Sequence, residues 1–149
     1  MPDTILERVI QEVKVAMKAR DKQRVAALRL VMAEFKRVEV DERIELEDTR
    51  ALAILDKMTK QRKDSQSQFR DAGRPDLEAK EALELAIIAE FMPEQLNAEA
   101  LEQLVVRAIG QAGASSMQDM GKVMAQLRPM VQGKADMSQV SSLVKSRLT

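Results

Sequence analysis

The sequence predicts an all-α protein: an N-terminal helical domain of about four helices, followed by a small three-helix tail domain. Three observations carry this. Apolar residues recur at helical spacing along most of the chain, only five glycines and four prolines interrupt its 149 residues, and no stretch alternates in the manner of a strand. Ten methionines and abundant Ala, Leu, Glu, Gln and Lys add helix propensity, and a hydrophobic fraction of 45% is enough to bury a core.

The elements follow in order. Thr4 and Glu7 form a capping box, and Ile5, Leu6, Val9, Ile10, Val13 and Met17 line one face of a first helix running to about Ala19. Asp21 caps a second helix carrying Val25, Leu28, Val31, Met32, Phe35 and Val38, which fades into a charged connecting loop over Glu39 to Glu45. Asp48 opens a long third helix through Leu52, Leu55, Met58 and Phe69, and Gly73 ends it as a left-handed C-terminal residue. Pro75 fits the first turn of a fourth helix that reaches about Phe91. Pro93 forces Met92 out of helical geometry and marks the boundary between domains 1–92 and 93–149.

Beyond it, Asn97 caps a fifth helix with Leu101, Leu104, Val105, Ala108 and Ile109 on one face, ended by Gly110 and Gly113. Ser116 with Asp119 reads as a capping pair for a short sixth helix bearing Met120, Val123, Met124 and Leu127, with Pro129 at its exit. Asp136 then caps a seventh helix with Met137, Val140, Val144 and Leu148. Three such short helices make a small core, so the tail is expected to lean on the first domain or on a partner.

Composition excludes much chemistry. With no His and no Cys there is no Ser-His-Asp triad, no thiol nucleophile and no zinc site of the usual nitrogen and sulfur kind, so neither a metal nor another cofactor is expected. Phe35, Phe69 and Phe91 are the only aromatics, too few for a base-stacking platform. The most apolar stretch, Ala82 to Met92, is interrupted by Glu84 and Glu90 and is far shorter than the roughly 20 residues a spanning helix needs. No membrane partner is expected. The N-terminus lacks an apolar signal-peptide core, and the absence of Cys fits a reducing compartment, so the expected location is the cytoplasm.

Twenty-four basic and 24 acidic residues cancel overall but not locally. Residues 1–40 hold nine basic and six acidic groups and residues 111–149 hold five and two, around an acidic middle. The sharpest excess lies between Lys14 and Arg37, where eight cations face only Asp21 and Glu34. Such a run draws phosphate or an acidic partner, or is simply a solvated helix face.

Met120-Gly121-Lys122-Val123 invites a phosphate-loop reading but fails it in spacing: Ser116 stands where the first Gly belongs and Val123 where Ser or Thr belongs. A weaker anion site remains where Gly113-Ala114-Ser115-Ser116 leads into a helix N-terminus near Lys122; the alternative is that Ser116 merely caps its helix. In the third helix, Thr59 to Gln68 holds ten polar residues in a row, which either bridge parts through solvent or display a recognition surface; Asp64 with Asp71 and Asp76 could in principle pair for acid–base work, but nothing distinguishes them from i, i+4 surface pairs such as Lys60 with Asp64.

Several motifs together resemble the YqeY family. In the tail they are Pro93-Glu94-Gln95-Leu96, Gly113-Ala114-Ser115-Ser116, Asp119-Met120-Gly121-Lys122-Val123-Met124, Gly133-Lys134-Ala135-Asp136, and Val140-Ser141 with Leu143-Val144. In the first domain they are Leu28-Arg29, Lys60-Gln61-Arg62-Lys63-Asp64-Ser65, Phe69, Gly73-Arg74 and Asp76-Leu77. The tail is also similar to the C-terminus of the GatB component of the tRNA-dependent amidotransferase, a carbon–nitrogen ligase using glutamine as amide donor. There the related tail is thought to hold tRNA, while the chemistry is done by a separate catalytic domain that this chain does not resemble. Arg128-Pro129-Met130-Val131 departs from the family by replacing a stretch that is often more basic, and Met137 stands where Gly is common.

The resemblance implies a non-catalytic accessory protein associated with tRNA or another structured RNA and not with DNA. The candidate RNA contacts are Ser115, Lys122, Arg128, Lys134, Lys145 and Arg147, with the basic first hairpin assisting. A protein–protein interaction module without an RNA role is the first alternative, its candidate surface being Lys60, Arg62, Lys63 and Arg74. An accessory part of a carbon–nitrogen ligase reaction is the second. No catalytic residue is assigned.

Overall fold

A computed structural model describes residues 3–148, so Met1, Pro2 and Thr149, at the outer ends of the two expected domains, lie outside the described residues. Seven α-helices and no strand occur among the described residues: α1 Ile5–Lys18, α2 Lys22–Glu42, α3 Asp48–Asp71, α4 Pro75–Ala89, α5 Ala98–Ala112, α6 Met120–Val131 and α7 Met137–Arg147. The chain divides into two compact units, one ending at Met92 and the other beginning at Pro93.

In the first unit, α1 and α2 form one hairpin, α3 and α4 another, and α2 packs on both helices of the second hairpin. Thr4 and Glu7 complete the capping box, and Asp21 accepts the Arg24 N–H at the start of α2. The buried core takes Val9 from α1, Leu28, Val31 and Phe35 from α2, Leu55 and Met58 from α3, and Ile87, Ile88 and Phe91 from α4 and its exit. The buried stripe of α1 is Ile5, Val9 and Ala16, whereas Ile10 and Met17 are exposed. The small Ala16 lets the helices approach at the turn, and Met17 is turned outward.

The end of α2 differs from the sequence reading. The charged run after Val38 is not all loop: α2 continues to Glu42 and stops at Arg43, which adopts the left-handed conformation. Ion pairs from Arg37 to Glu34 and Asp41 and from Arg50 to Glu42 hold this polar last turn, and buried Leu46 anchors the short loop behind it. Asp48 opens α3 as the sequence suggests, as its first residue behind the N-cap Glu47, which makes no side-chain bond. The Asp48 Oδ1 accepts the N–H of Ile5 at 2.9 Å, so the carboxylate closes the first turn of α1.

In the second unit, α5, α6 and α7 pack against one another around Leu101, Val105, Ala108, Val123, Leu127, Val131, Val140, Val144 and Leu148. Asn97 caps α5 through the Ala100 N–H, and Gly113 ends it at φ 62°, with Gly110 inside the helix rather than at its end. Pro129 also lies inside its helix: α6 runs on to Val131 because Leu127 and Val131 are fully buried one turn apart. That burial outweighs the hydrogen bond the proline cannot donate to Ala125. No helix among the described residues is long and apolar enough to cross a membrane.

Candidate nucleic-acid interface

The tail's candidate residues sit on a scaffold closed by its own loops. Gln95 Nε2 donates to the carbonyls of Gly133 at 2.6 Å and Pro93 at 3.1 Å, and the Leu96 N–H donates to the Lys134 carbonyl at 2.9 Å. Two segments distant in sequence, Pro93-Glu94-Gln95-Leu96 and Gly133-Lys134, thereby form one latch. Gly133 is buried at φ 74°, a conformation that glycine adopts without strain.

The turn between α5 and α6 is arranged differently from the capping pair that the sequence suggests. Ser116 makes no side-chain cap bond, and residues Met117–Asp119 form a single 3-10 turn before α6. Asp119 Oδ2 accepts the Ser115 N–H at 3.1 Å. The chain's own carboxylate thus occupies the place where the sequence suggests an external anion, leaving the exposed Ser115 hydroxyl and Lys122 as the outward groups.

The remaining candidates do not converge on one point. Lys122 and Arg128 are exposed on α6, Lys134 is half-buried in the loop, and Lys145 is exposed on α7. Six residues separate Lys122 from Arg128, so they leave α6 about 120° apart. Arg147 is paired with Glu102 of α5, which neutralises it. No ion pair is formed by Lys122, Arg128, Lys134 or Lys145 among the described residues. Asp119 and Asp136, the two acidic side chains of residues 111–149, both accept backbone N–H groups, from Ser115 and Ser138.

The alternative surface in the first unit is less free. Lys63 is exposed and Lys60 pairs with Asp56 at 3.6 Å, while Arg74 grips Asp76 through two nitrogens and holds its carboxyl below the ordinary range. Arg62 is drawn inward to Glu84 of α4 at 3.2 Å, with side-chain exposures of 17% and 10%. The polar middle of α3 is therefore an internal seam on one side. The approach lacks hydrogen-bond alignment at Arg62 Nε, so charge rather than a directed bond holds the pair. The Glu81 carboxyl is raised, first by burial and then by the neighbouring Glu84 charge.

Two such pairs are signalled in the sequence only by carboxylates inside an apolar run. Glu84 is one; Glu90 is the other, held by both terminal nitrogens of Arg24 at 2.6 and 2.8 Å. Arg24 also binds Glu12, and Arg8 donates to the Glu90 carbonyl while lying over the Phe91 ring. Of the aromatics, Phe35 and Phe91 are buried and Phe69 half-buried, so none stands open for a base. No group of three or more metal-ligating side chains gathers among the described residues.

The family model described as Yqey-like protein matches residues 6–148. Altered inheritance of mitochondria protein 41, mitochondrial, of Eremothecium gossypii is 36% identical over 104 residues, which are 69% of this chain and 56% of that protein. The chain thus matches little more than half of that relative's length. With nearly its whole length matched and the tail motifs accounted for as latch and caps, the chain belongs to the YqeY family.

Proposed function

We propose that this chain is a non-catalytic accessory protein that associates with tRNA or another structured RNA. The observation that carries the reading is the engagement of charge in the tail. Both acidic side chains of residues 111–149 are tied to backbone N–H groups, while Lys122, Arg128, Lys134 and Lys145 form no ion pair among the described residues. Cations that form no ion pair remain available to attract phosphate. The cations point in several directions, and no aromatic is exposed, so the contact reads backbone and shape rather than base edges. In a carbon–nitrogen ligase reaction its part would be to hold the RNA for a separate catalytic domain, and the cytoplasm is the compartment proposed, on the absence of Cys.

Titration of fluorescently labelled tRNA with the full chain at low salt tests this. Binding is expected, and Lys122→Ala with Lys145→Ala should weaken it about tenfold, since each lost phosphate contact returns counterions to the RNA. Both side chains are exposed, so the fold should not change. Absence of binding, or binding indifferent to the double substitution, contradicts the tail reading.

A further inference from the structure

We infer that the outward face of α2, in the first unit, is a linear docking ridge for an RNA phosphate backbone. This rests on the RNA reading above and adds a second surface to it. Lys22, Arg29 and Lys36 are exposed and stand seven residues apart, opposite the buried Leu28, Val31, Phe35 and Val38. Seven residues are close to two helical turns, so the three cations share one face with a drift of about 20° per step. At 1.5 Å per residue they are spaced about 10.5 Å apart along a line of about 21 Å.

What makes the row more than a solvated face is the state of every other charge on the helix. Each of its four carboxylates is engaged: Glu34 and Asp41 by Arg37, Glu39 by the Leu46 N–H, and Glu42 by Arg50. Asp21 ahead of it caps Arg24, and Arg24 itself is bound by Glu12 and Glu90. The three cations left over are those of the row. They form no ion pair among the described residues, and neither do Lys18 and Arg20 at the turn, where Arg20 takes a positive φ of 59°. Beside the row, a cleft of about 490 Å³ between α2 and α4 is lined by Gln23, Ala26, Asp76, Lys80 and Glu84. Arg74 holds that Asp76 and Arg62 that Glu84, which leaves Lys80 to add to the same field.

The side chains between the cations select the partner. Ala26 and Ala33 lie in the row and are exposed, so a charged backbone can approach closely. A lipid surface would require large apolar residues at the centre of the face, whereas Leu30 and the cleft's Leu83 stand at its flanks and Val40 lies one turn beyond Lys36, past the last cation of the row. A protein partner would require an aromatic or apolar anchor there. A regularly charged phosphate chain needs neither.

Salt-dependent titration of tRNA with the full chain tests the ridge, comparing wild type, the triple variant Lys22→Gln/Arg29→Gln/Lys36→Gln, and the tail variant Lys122→Ala/Lys145→Ala. The triple variant should lose affinity at least about tenfold and flatten the log–log salt slope by about two. Its circular dichroism and melting should match wild type, because the three side chains are exposed. A wild-type slope and affinity in the triple variant, while the tail variant is weakened, overturns the ridge and leaves the RNA reading standing. No binding by wild type overturns both. Binding to vesicles of phosphatidylcholine with phosphatidylglycerol that is lost in the triple variant, with tRNA binding retained, overturns the ridge in favour of a lipid surface.

Discussion

At the scale of single residues, the most consequential pair is Arg62 with Glu84. Two opposite charges with little exposure are held together without aligned hydrogen bonds, an arrangement that offsets desolvation only while both partners remain. Arg62→Ala should therefore destabilise the first unit by about 3–5 kcal/mol, and Arg62→Met with Glu84→Leu should recover most of that loss. Urea denaturation of the two variants checks this; equal losses would refute it. Glu90 behaves differently because it is partly exposed. Hydrogen bonds from Arg24 hold its carboxyl below the ordinary range, against burial acting the other way. A depressed folded value means stability that is present above the unfolded pKa, about 4.3, and is lost as pH falls through the folded value. Glu90→Gln should thus cost about 1 kcal/mol at pH 7, and the gap to wild type should close on acidification below about pH 4. A gap independent of pH would show that the ion pair contributes nothing.

At the scale of elements, local signals were legible and distant ones were not. Thr4 with Glu7, Asp21, Asn97 and Asp136 each lie within a few residues of the N–H they satisfy, so the start of four helices could be read from neighbours alone. Asp48 joins Ile5 across 43 residues and Gln95 joins Gly133 across 38, and no periodicity reports such a partner. Pro129 was misleading for the opposite reason, since a strong local signal was overridden by the burial of Val131. Among the candidate site residues, exposure of Lys122 and Lys145 was foreseeable from their places between apolar positions, whereas the pairing of Arg147 with Glu102 depends on how α5 meets α7. The latch predicts its own test. Gly133→Ala forces a side chain into the left-handed region and should lower tail stability by about 1–2 kcal/mol. Gln95→Ala should cost about 1 kcal/mol through its lost bonds. Hydrogen exchange of the α5 and α7 amides would report both, and unchanged protection would remove the latch from the account.

At the scale of the whole molecule, a net charge of zero conceals two kinds of surface. The carboxylates of α2 and of residues 111–148 are engaged with arginines or backbone N–H groups, and Lys22, Arg29, Lys36, Lys122, Arg128, Lys134 and Lys145 form no ion pair among the described residues. Arg24, Arg37, Arg50 and Arg62 take ion pairs in the first unit, where a planar fork matches a carboxylate. The ten-residue polar run of α3, a surface by its composition, divides along the same line, with Arg62 inside and Lys63 outside. The leftover cations are the basis for the proposed association with RNA. The most direct measurement is the affinity of the full wild-type chain for tRNA between about 50 and 200 mM salt, a range over which phosphate contacts are strongly weakened. Binding is expected at the low end, with a linear fall of log affinity with log salt at a slope of about −3 to −5 for four to six contacts. No binding at the lowest salt, or an affinity that does not change across the range, would contradict the proposed association.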